Sequence, residues 1–453
     1  MESSWVVGKV CEIFTSVSRI FNSYSMEQST WVDLPDVVVI ELFRFLKDKD
    51  RAAAALTCKN WARLFKTPCL WRSRHFEMGG YRAHNNGSRA CAFASLFGNY
   101  VRYLSISCSH PSYHTTKIFQ RAIEDVLGKM RTSKLFEFEL ERLELERFWK
   151  YETPRDKLIA CFVRFLKTQK YLKIFDMTAA QCNLDGGCRI LQAVGNNSGY
   201  KVQDVFIEDF FHSRLAVFQN DRYKSAIYQF TNINYLGINY NCLSDEIIET
   251  FSKTLEGKLE CMNIKVYRND PHFHTIGGSQ WSILRRKCPK LKVTMWFESI
   301  GHSTDIIPVL VKEIPLKDLH IWTGYDDDVE WRLAITIDHI ANSYANTLSM
   351  LSLELDNNHE LVDDNILTLL QKCKKLNQLT LNANVVVSTI RAICLLRSEK
   401  KTTLQSLHLT ACGLSEQEWT VLCQIKDEFA ELIEQQGLDY KFCTDLLIDL
   451  GAM

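Results

Sequence analysis

Leucines recur at a fixed spacing in the C-terminal third of the chain. A triplet of the form L-x-x-L-x-L appears three times, each copy 28 residues after the last. The copies are Leu348, Leu351 and Leu353, then Leu376, Leu379 and Leu381, then Leu404, Leu407 and Leu409. Alternate side chains of a strand point to the same face, so the pattern predicts a short strand with a leucine-lined inner side that repeats along the chain.

Further copies extend the repeat towards the N-terminus. The segment INYLGINYNCL, at 233–243, fills the same positions, and weaker copies begin at Val101, Leu135, Leu172, Val202, Leu259, Cys288 and Leu316. In the fuller copies a polar residue or cysteine follows the last apolar position, namely Asn241, Asn384 or Cys412. We expect this residue to satisfy backbone groups where the chain turns out of the strand.

Segments with helical spacing separate the predicted strands. DEIIETFSKTL and DDNILTLLQKC are examples, and each opens on acidic residues that suit a helix N-terminus. Alternating strands and helices at this period predict an α/β leucine-rich-repeat solenoid, a horseshoe with a parallel sheet on its concave side, over residues 77–414. Stacked repeats need capped ends, and EQEWTVLCQIKDEFAELI predicts a C-terminal helical cap within 415–453.

The stretch LPDVVVIELFRFL, residues 34–46, is too apolar for an ordinary surface helix. Eight of the ten positions from Val37 to Leu46 are Val, Ile, Leu or Phe, so apolar side chains surround the helix. Asp33 suits the N-cap and Pro35 suits the first turn. A charged turn at 48–50 then precedes a second predicted helix, RAAAALTCKNWARLF, which ends before Pro68. So small a unit cannot enclose these side chains by itself, and another surface must cover them.

The order of residues in this region resembles the F-box. Leu34-Pro35 is followed by Ile40, Phe43 and Leu46, and then by L-x-C-x(2)-W and a final Leu70-Trp71. The resemblance assigns residues 30–76 to an F-box and implies an Skp-type adaptor as partner. The residues that it places at or just behind the adaptor interface are Leu34, Pro35, Ile40, Phe43, Leu46, Leu56, Cys58, Trp61 and Trp71. The alternative is a small helical subdomain buried against the rest of the same chain.

An F-box followed by leucine-rich repeats is a known family arrangement, and the chain is similar to it. Four segments, IEDFFHSRLAVF, INYNCLSDE, LVKEIPLK and LELDNNHE, carry a narrower resemblance to one member. The family implies a non-catalytic substrate receptor of an Skp–cullin–F-box ubiquitin ligase, with cullin and RING subunits reached through the adaptor. Its protein target is expected on the concave face, at the outward strand positions Trp322, His320, Tyr235, Asn239, Lys265, Glu354 and His408. Trp322 is the strongest candidate, because exposed tryptophans anchor interfaces.

Composition excludes several classes of partner. Basic and acidic residues number 54 each, and no block of like charge suggests nucleic acid or an anionic membrane. Sixteen scattered cysteines without a secretory signal favour free thiols in the cytosol or nucleus. The apolar segment from Trp5 to Phe21 carries Lys9, Glu12 and Arg19 and is unsuited to a membrane span. Residues 1–29 predict an amphipathic helix and a linker; the helix packs on its own protein, a partner or a membrane surface.

Catalytic and metal-binding motifs are incomplete. HELVD, at 359–363, has Asp363 where a zinc protease has its second histidine. Cys108 with His110 and His114, or His272 with His274, lack the remaining ligands of a zinc site. We therefore predict no cofactor, no metal and no enzymatic activity. Two alternatives to the ligase receptor stay open: a leucine-rich scaffold or inhibitor whose N-terminal helices cap the solenoid without ligase assembly, and an enzyme with an unrecognised site.

Overall fold

The computed structural model describes residues 34–78, 83–108, 116–149, 151–268, 274–300, 303–323, 332–355, 357, 360–411, 414–435 and 439–444. The predicted N-terminal amphipathic helix and linker at 1–29 and the proposed N-cap Asp33 lie outside these residues. Three short helices open the described chain: α1 Asp36–Phe45, α2 Asp48–Ala55 and α3 Lys59–Phe65. A single turn of 3-10 helix, Pro68–Trp71, leads from them into the sheet.

The described residues then form one sheet of thirteen parallel strands whose spatial order is their order along the chain. The strands are β1 Ser73–Glu77, β2 Tyr103–Ser107, β3 Glu137–Glu141, β4 Ile174–Asp176, β5 Asp204–Phe206, β6 Tyr235–Asn239, β7 Cys261–Tyr267, β8 Lys292–Glu298, β9 Leu316–Trp322, β10 Met350–Glu354, β11 Gln378–Ala383, β12 Ser406–Ala411 and β13 Asp439–Thr444. A parallel sheet in sequential order is the arrangement of a leucine-rich-repeat solenoid, as predicted.

Helices connect successive strands. They are α4 Ala83–Phe97, α5 Thr116–Lys129, α6 Leu145–Phe148, α7 Glu152–Leu166, α8 Leu184–Ser198, α9 Asp221–Ile227, α10 Asp245–Thr254, α11 Gly278–Lys287, α12 Ser303–Ile306, α13 Leu333–Ser343, α14 Asp363–Lys372, α15 Val387–Ser398 and α16 Glu416–Gln435. Most of them pack beside a neighbouring helix, as α10 does beside α11. One hydrophobic core extends from Phe76 to Phe429 between the helices and the sheet.

The predicted repeat starts locate most strands. Leu348, Leu376 and Leu404 each lie two residues before a strand, and the leucines that follow them pair in register, for example Leu351 with Leu379. The start at Cys288 is wrong by two residues, because Val293 and Met295, rather than Leu291 and Val293, pair with the inward residues of β7. Leu291 is also buried, so the apolar pattern fits both alignments.

Two strands lie beyond the predicted repeats. Strand β1 crosses the predicted boundary between residues 76 and 77, and it pairs with β2 from Ser73 to Glu77. Strand β13 pairs with β12 inside the segment 415–453 that was predicted to be helical. That segment therefore contains helix α16 and one more strand.

Two asparagines that follow strands bond to backbone groups: this was predicted for Asn241 but not for Asn357, and the predicted Cys412 lies outside the described residues. Asn241 donates to the carbonyl oxygens of His212, Ser213 and Leu215 in the preceding repeat. Asn357 accepts a bond from the amide of Asn384 at 2.8 Å and donates to its carbonyl at 2.9 Å. Neighbouring turns are thus joined where the strands end.

The N-terminal helices differ from prediction in two respects. Pro35 is the N-cap of α1 rather than a residue of its first turn. The stretch RAAAALTCKNWARLF is two helices, since α2 already begins at Asp48 and ends at Ala55. Cys58 then starts α3, and its Sγ accepts the amide of Trp61 at 3.4 Å. Asp48 and Asp50 lie in the first turn of α2, where the helix dipole favours negative charge.

Candidate functional site

The N-terminal helices enclose a small core of their own. Val39 and Phe43 lie one turn apart on α1 and pack with Leu64, Leu70 and Trp71. The ring of Phe43 meets the indole of Trp61 edge-on, with the centroids 5.6 Å apart. Phe43 is therefore buried inside this core rather than beneath the solenoid helices.

A buried arginine of α2 joins that helix to α1 and to the 3-10 turn. The guanidinium of Arg51 donates to the carbonyl oxygens of Phe43 at 2.9 Å, Leu46 at 3.1 Å and Leu70 at 3.3 Å. Burial lowers its pKa, and Asp48 opposes that effect. Asp48 also pairs with Arg74 on β1, so α2 is fixed to the first strand of the sheet.

Large apolar side chains remain on the outside of this unit. Leu56 is 88% exposed and Val37 is 70% exposed, and Phe45 is exposed as well. Val37 and Phe45 lie on the side of α1 opposite Val39 and Phe43, and neither was among the residues predicted to bind an adaptor. Their positions follow from helical periodicity once the inward residues are known.

The nine residues predicted to bind an adaptor occupy three environments. Pro35 and Leu56 are exposed, and Phe43 and Trp71 are buried. The half-buried remainder consists of Leu34, Ile40, Leu46, Cys58 and Trp61. These seven exposed and half-buried residues, together with Val37 and Phe45, form the candidate adaptor surface.

Trp71 lies at the joint with the solenoid. Its indole stacks on Phe97 of α4, with the centroids 4.3 Å apart and the planes at 15°. Phe65 and Phe93 meet it edge-on. Trp71 was predicted to lie at or just behind the adaptor interface; it is buried, and it joins the helical unit to the first repeat.

The concave face has an ionic centre on β7. The ammonium of Lys265 lies 2.8 Å from a carboxylate oxygen of Asp209 and 2.8 Å from one of Glu298. The hydroxyl of Tyr267 donates to Asp209 at 2.9 Å. Lys265 was predicted to contact a target, but its charge is already shared by two carboxylates of this chain.

Two other predicted target residues serve the fold. Asn239 is only 2% exposed, because its side-chain amide is bonded to Asp209, with Nδ2 donating to a carboxylate oxygen at 3.0 Å. Its placement at a target interface is corrected: it positions Asp209. Tyr235 is half-buried, packs on Phe206 with the centroids 4.8 Å apart, and bonds to Asn263.

An aromatic pair lies beside the ionic centre. Trp296 of β8 stacks on His320 of β9, with the centroids 4.6 Å apart and the planes at 14°. Trp296 is 44% exposed, whereas Trp322 is half-buried at a strand position between Glu298 and Glu354. Burial lowers the pKa of His320, which favours its neutral form. Sequence reasoning missed Trp296 because the two-residue error in β8 removed it from the outward positions.

The remaining predicted target residues lie further along the sheet. Glu354 on β10 and His408 on β12 are both exposed, with β11 between them. Of the seven predicted positions, the structure brings Asn239, Lys265 and His320 to the ionic centre and the aromatic pair. It leaves Glu354 and His408 apart from them.

A recess of about 310 Å³ opens over β5 to β8 of the concave face. Its lining includes Glu208, Asp209, Lys265, Trp296 and Glu298. Burial raises the pKa of Glu208 to about 7, and nearby Asp176 and Asp209 act in the same direction. Among the described residues, Oε2 of Glu208 is buried without a hydrogen-bond partner. Glu208 lies six residues after the predicted repeat start at Val202, the position that Lys265 holds in its own repeat, so the pattern marks it as outward but gives no reason to select it. Asp209 follows it in the loop, where the pattern makes no prediction.

The described residues of the incomplete zinc-protease motif HELVD have structural roles. Glu360 of HELVD accepts the amides of Leu333 and Ala334 at the start of α13, and Asp363 accepts the amide of Val386. No group of three or more metal-ligating side chains occurs among the described residues, and His110, His114 and His272 lie outside them. Burial raises the pKa of the Cys161 thiol to about 11, far above the pKa of a reactive cysteine nucleophile.

Within the described parts, no helix is long and apolar enough to cross a membrane.

Comparison with known proteins supports both halves of this architecture. An F-box-like family model matches residues 31–77, which hold the three helices and β1. F-box/LRR-repeat protein 21 of Mus musculus is 22% identical over 361 residues, covering 78% of this chain and 76% of the relative. The chain carries an F-box-like domain ahead of a leucine-rich-repeat solenoid. The Ovis aries protein of the same name is 21% identical over 375 residues, with the same coverage of each chain.

One shorter match has a different name. Protein ARABIDILLO 1 of Arabidopsis thaliana is 32% identical over 84 residues, which are 18% of this chain and 9% of that protein. The narrower resemblance to F-box only protein 39, based on segments such as INYNCLSDE, is not supported by these comparisons. The F-box and repeat architecture is what the F-box/LRR-repeat relatives share with this chain.

Proposed function

We propose that this F-box protein is the substrate-recognition subunit of an Skp–cullin–F-box ubiquitin ligase. Its F-box binds the Skp adaptor and, through it, the cullin and RING subunits, while the solenoid holds a protein target. This chain performs no chemical step and acts in the cytoplasm or nucleus. Its contribution is effective concentration, because tethering a target lysine near a ubiquitin-charged enzyme makes the transfer nearly intramolecular.

The exposed apolar side chains of the F-box helices are the observation that carries the proposal. Burial of apolar surface is favourable by about 25 cal/mol per Å², so covering these side chains stabilises a complex. A specific interface of roughly 1,200 to 2,000 Å² is large enough to cover them. Among the described residues, the helical unit meets the solenoid on the side of Trp71, where Phe93 and Phe97 pack. Leu56 and Val37 stay exposed, which supports an adaptor as their partner.

The experiment is adaptor binding by the full chain with single substitutions at exposed positions. Leu56→Asp and Val37→Asp place a charge where the adaptor would bury an aliphatic side chain. Because that charge would have to be buried, we expect each substitution to weaken adaptor binding at least tenfold. Since both side chains are exposed in the free chain, its melting temperature should change little. Leu361→Asp is the matched control, because Leu361 is 76% exposed but precedes helix α14, far along the chain from the F-box.

The measurement is co-purification with the Skp adaptor, followed by titration calorimetry of the complex. Adaptor binding that survives both F-box substitutions, or is absent from the unmodified chain, contradicts the proposal. The second outcome favours a leucine-rich scaffold whose N-terminal helices only cap the solenoid.

A further inference from the structure

Negative charge is concentrated on the concave face although the whole chain carries no net formal charge. The carboxylates occupy outward positions of β3 to β5 and the loop that follows β5. They are Glu137, Glu139, Glu141, Asp176, Asp204, Glu208 and Asp209. Glu139 and Asp176 are paired across β3 and β4. Adjacent strands are about 4.8 Å apart, so these two carboxylates repel each other unless a cation lies between them.

Among the described residues, Asp209 is the only carboxylate of this strip with an ion pair, which it makes with Lys265. Burial raises the pKa values of Glu137, Glu139, Asp176 and Asp204, and neighbouring carboxylates contribute for the first three. The ammonium of Lys265 lies at the edge of the strip, but it bonds to Asp209 and Glu298. A positively charged ligand would relieve the repulsion that remains.

The recess over β5 to β8 is where this charge meets an exposed aromatic surface. Glu208 lies at one end, leaning over Gly237, where an added Cβ would strike its carboxylate. Trp296 lies at the other end, supported from behind by its stacked partner His320. An indole face attracts cations and also packs against flat or aliphatic groups.

The dimensions of the recess fit a peptide better than a small cation. Strands β5 and β8 are three strand spacings apart, about 14 Å. An extended segment of about four residues spans that length, whereas a single side chain does not. A bare metal ion fits poorly, because the Lys265 ammonium occupies the centre between Asp209 and Glu298.

We propose that this recess docks a basic segment of the protein target, with an arginine or lysine side chain at Glu208 and the adjoining residues crossing the indole of Trp296. The proposal rests on the receptor function and names the chemistry of the target that the concave face selects. A guanidinium would supply donors to the unpartnered Oε2 of Glu208 after a small rotation of the carboxylate, and charge-assisted bonds of this kind are stronger than neutral ones.

The test uses the full chain, both with the Skp adaptor and alone, and four degenerate octapeptide libraries. The libraries differ only in one fixed central residue, which is arginine, lysine, citrulline or glutamate. We expect the arginine and lysine libraries to be retained at least fivefold more than the citrulline library at low ionic strength, and the glutamate library least. Equal retention of the arginine and citrulline libraries overturns the proposal.

Substitutions then locate the binding. Glu208→Gln removes the charge with little change of shape, and Gly237→Ala displaces the Glu208 carboxylate; each should reduce retention of the arginine library about fivefold. Glu256→Gln, which changes an exposed carboxylate two residues after helix α10, should have no effect. Trp296→Ala should weaken all four libraries together. If Glu208→Gln retains the arginine library as well as the unmodified chain does, the assignment of the site is wrong.

Adaptor recovery, measured on the same preparations, separates the two proposals. Loss of arginine selectivity with adaptor binding intact refutes the docking site alone. Failure of the chain to bind the adaptor, with arginine selectivity intact, refutes the ligase role and leaves the concave site as a peptide-binding site.

Discussion

The indole of Trp71 stacks on the ring of Phe97, 4.3 Å apart and within 15° of parallel. This contact joins the last residue of the F-box core to the first helix of the solenoid. Phe65 packs edge-on against both rings, so the joint is a single aromatic cluster. The orientation of the F-box relative to the repeats therefore depends on side-chain packing rather than on a flexible linker.

Truncation of Trp71 should lower the free energy of unfolding. Replacing a buried aromatic residue with alanine typically costs about 3 to 5 kcal/mol, so Trp71→Ala should lower the free energy of unfolding by that order. Trp71→Phe keeps the stacking partner for Phe97 and should lose less than half as much. Urea denaturation followed by circular dichroism measures the difference. Equal loss in the two variants would show that ring stacking is not what holds the joint.

Arg51 gives a second prediction about the F-box. Arg51→Met keeps much of the side-chain volume but leaves the carbonyl oxygens of Phe43, Leu46 and Leu70 without the guanidinium, and we expect a loss of about 2 to 4 kcal/mol in unfolding free energy. Arg51→Lys should recover little, because an ammonium cannot reproduce the planar set of donors. Arg63→Met is the control, since Arg63 is exposed and its pair with Asp36 is solvent-screened. If the Arg51→Met and Arg63→Met variants have the same unfolding midpoint in urea, the bonds of Arg51 to these three carbonyl oxygens do not stabilise the F-box.

The hydrogen bonds of Asn357 to the backbone of Asn384 predict a local effect in the solenoid. Asn357→Ala removes the acceptor of the Asn384 amide and the donor to its carbonyl, and we expect a loss of about 1 to 3 kcal/mol. Hydrogen exchange should rise first at the amide of Asn384. Asn342→Ala, at an exposed position that bonds only to Lys372 among the described side chains, should leave exchange there unchanged. If the Asn384 amide stays protected from exchange in Asn357→Ala, the hydrogen bonds of Asn357 are not the source of that protection.

Glu208 predicts a pH dependence of stability. Its pKa is about 7 in the folded chain against an ordinary value of 4.5, so the folded chain binds the proton more tightly. Stability that this group contributes is therefore present below about pH 4.5 and is lost as the pH rises to about 7. Relative to Glu208→Gln, the unmodified chain should lose roughly 1 to 3 kcal/mol between pH 5 and pH 8.

Thermal unfolding at intervals across this pH range checks the prediction. The other carboxylates of the concave strip are present in both proteins, so the difference reports Glu208 together with its electrostatic coupling to Asp176 and Asp209. Glu256→Gln should follow the unmodified chain at every pH. Parallel curves for Glu208→Gln and the unmodified chain would mean that Glu208 is not the titrating group.

The repeat pattern predicted most of the solenoid because its cause is local. Each strand buries alternate residues, so apolar side chains such as Leu379 and Leu407 must recur at the same position of every repeat. The prediction failed at Cys288 because Leu291 is buried just before the strand, and an apolar residue at that place imitates an inward strand position. It missed β13 because one strand after a long helix offers no period to detect.

The candidate site on the concave face was predicted only in part. Outward positions tolerate any residue, so the pattern indicated that Lys265 and His320 face outward but not what they contact. The ionic centre pairs Lys265 with Asp209, which is 56 residues away along the chain. Contacts between loops of different length leave no periodic signal, and Glu208 and Trp296 entered the site only through the structure.

The sequence by itself determined the succession of strands and helices and the apolar surplus near the N-terminus, because periodicity and side-chain chemistry act between near neighbours. Tertiary structure decided which F-box side chains are exposed and which close the joint at Trp71. It also decided that carboxylates from separate repeats converge beside Trp296. The physical reason is that stacking successive repeats brings distant residues to within one strand spacing of each other, and their electrostatics and packing depend on that distance rather than on their separation in the chain.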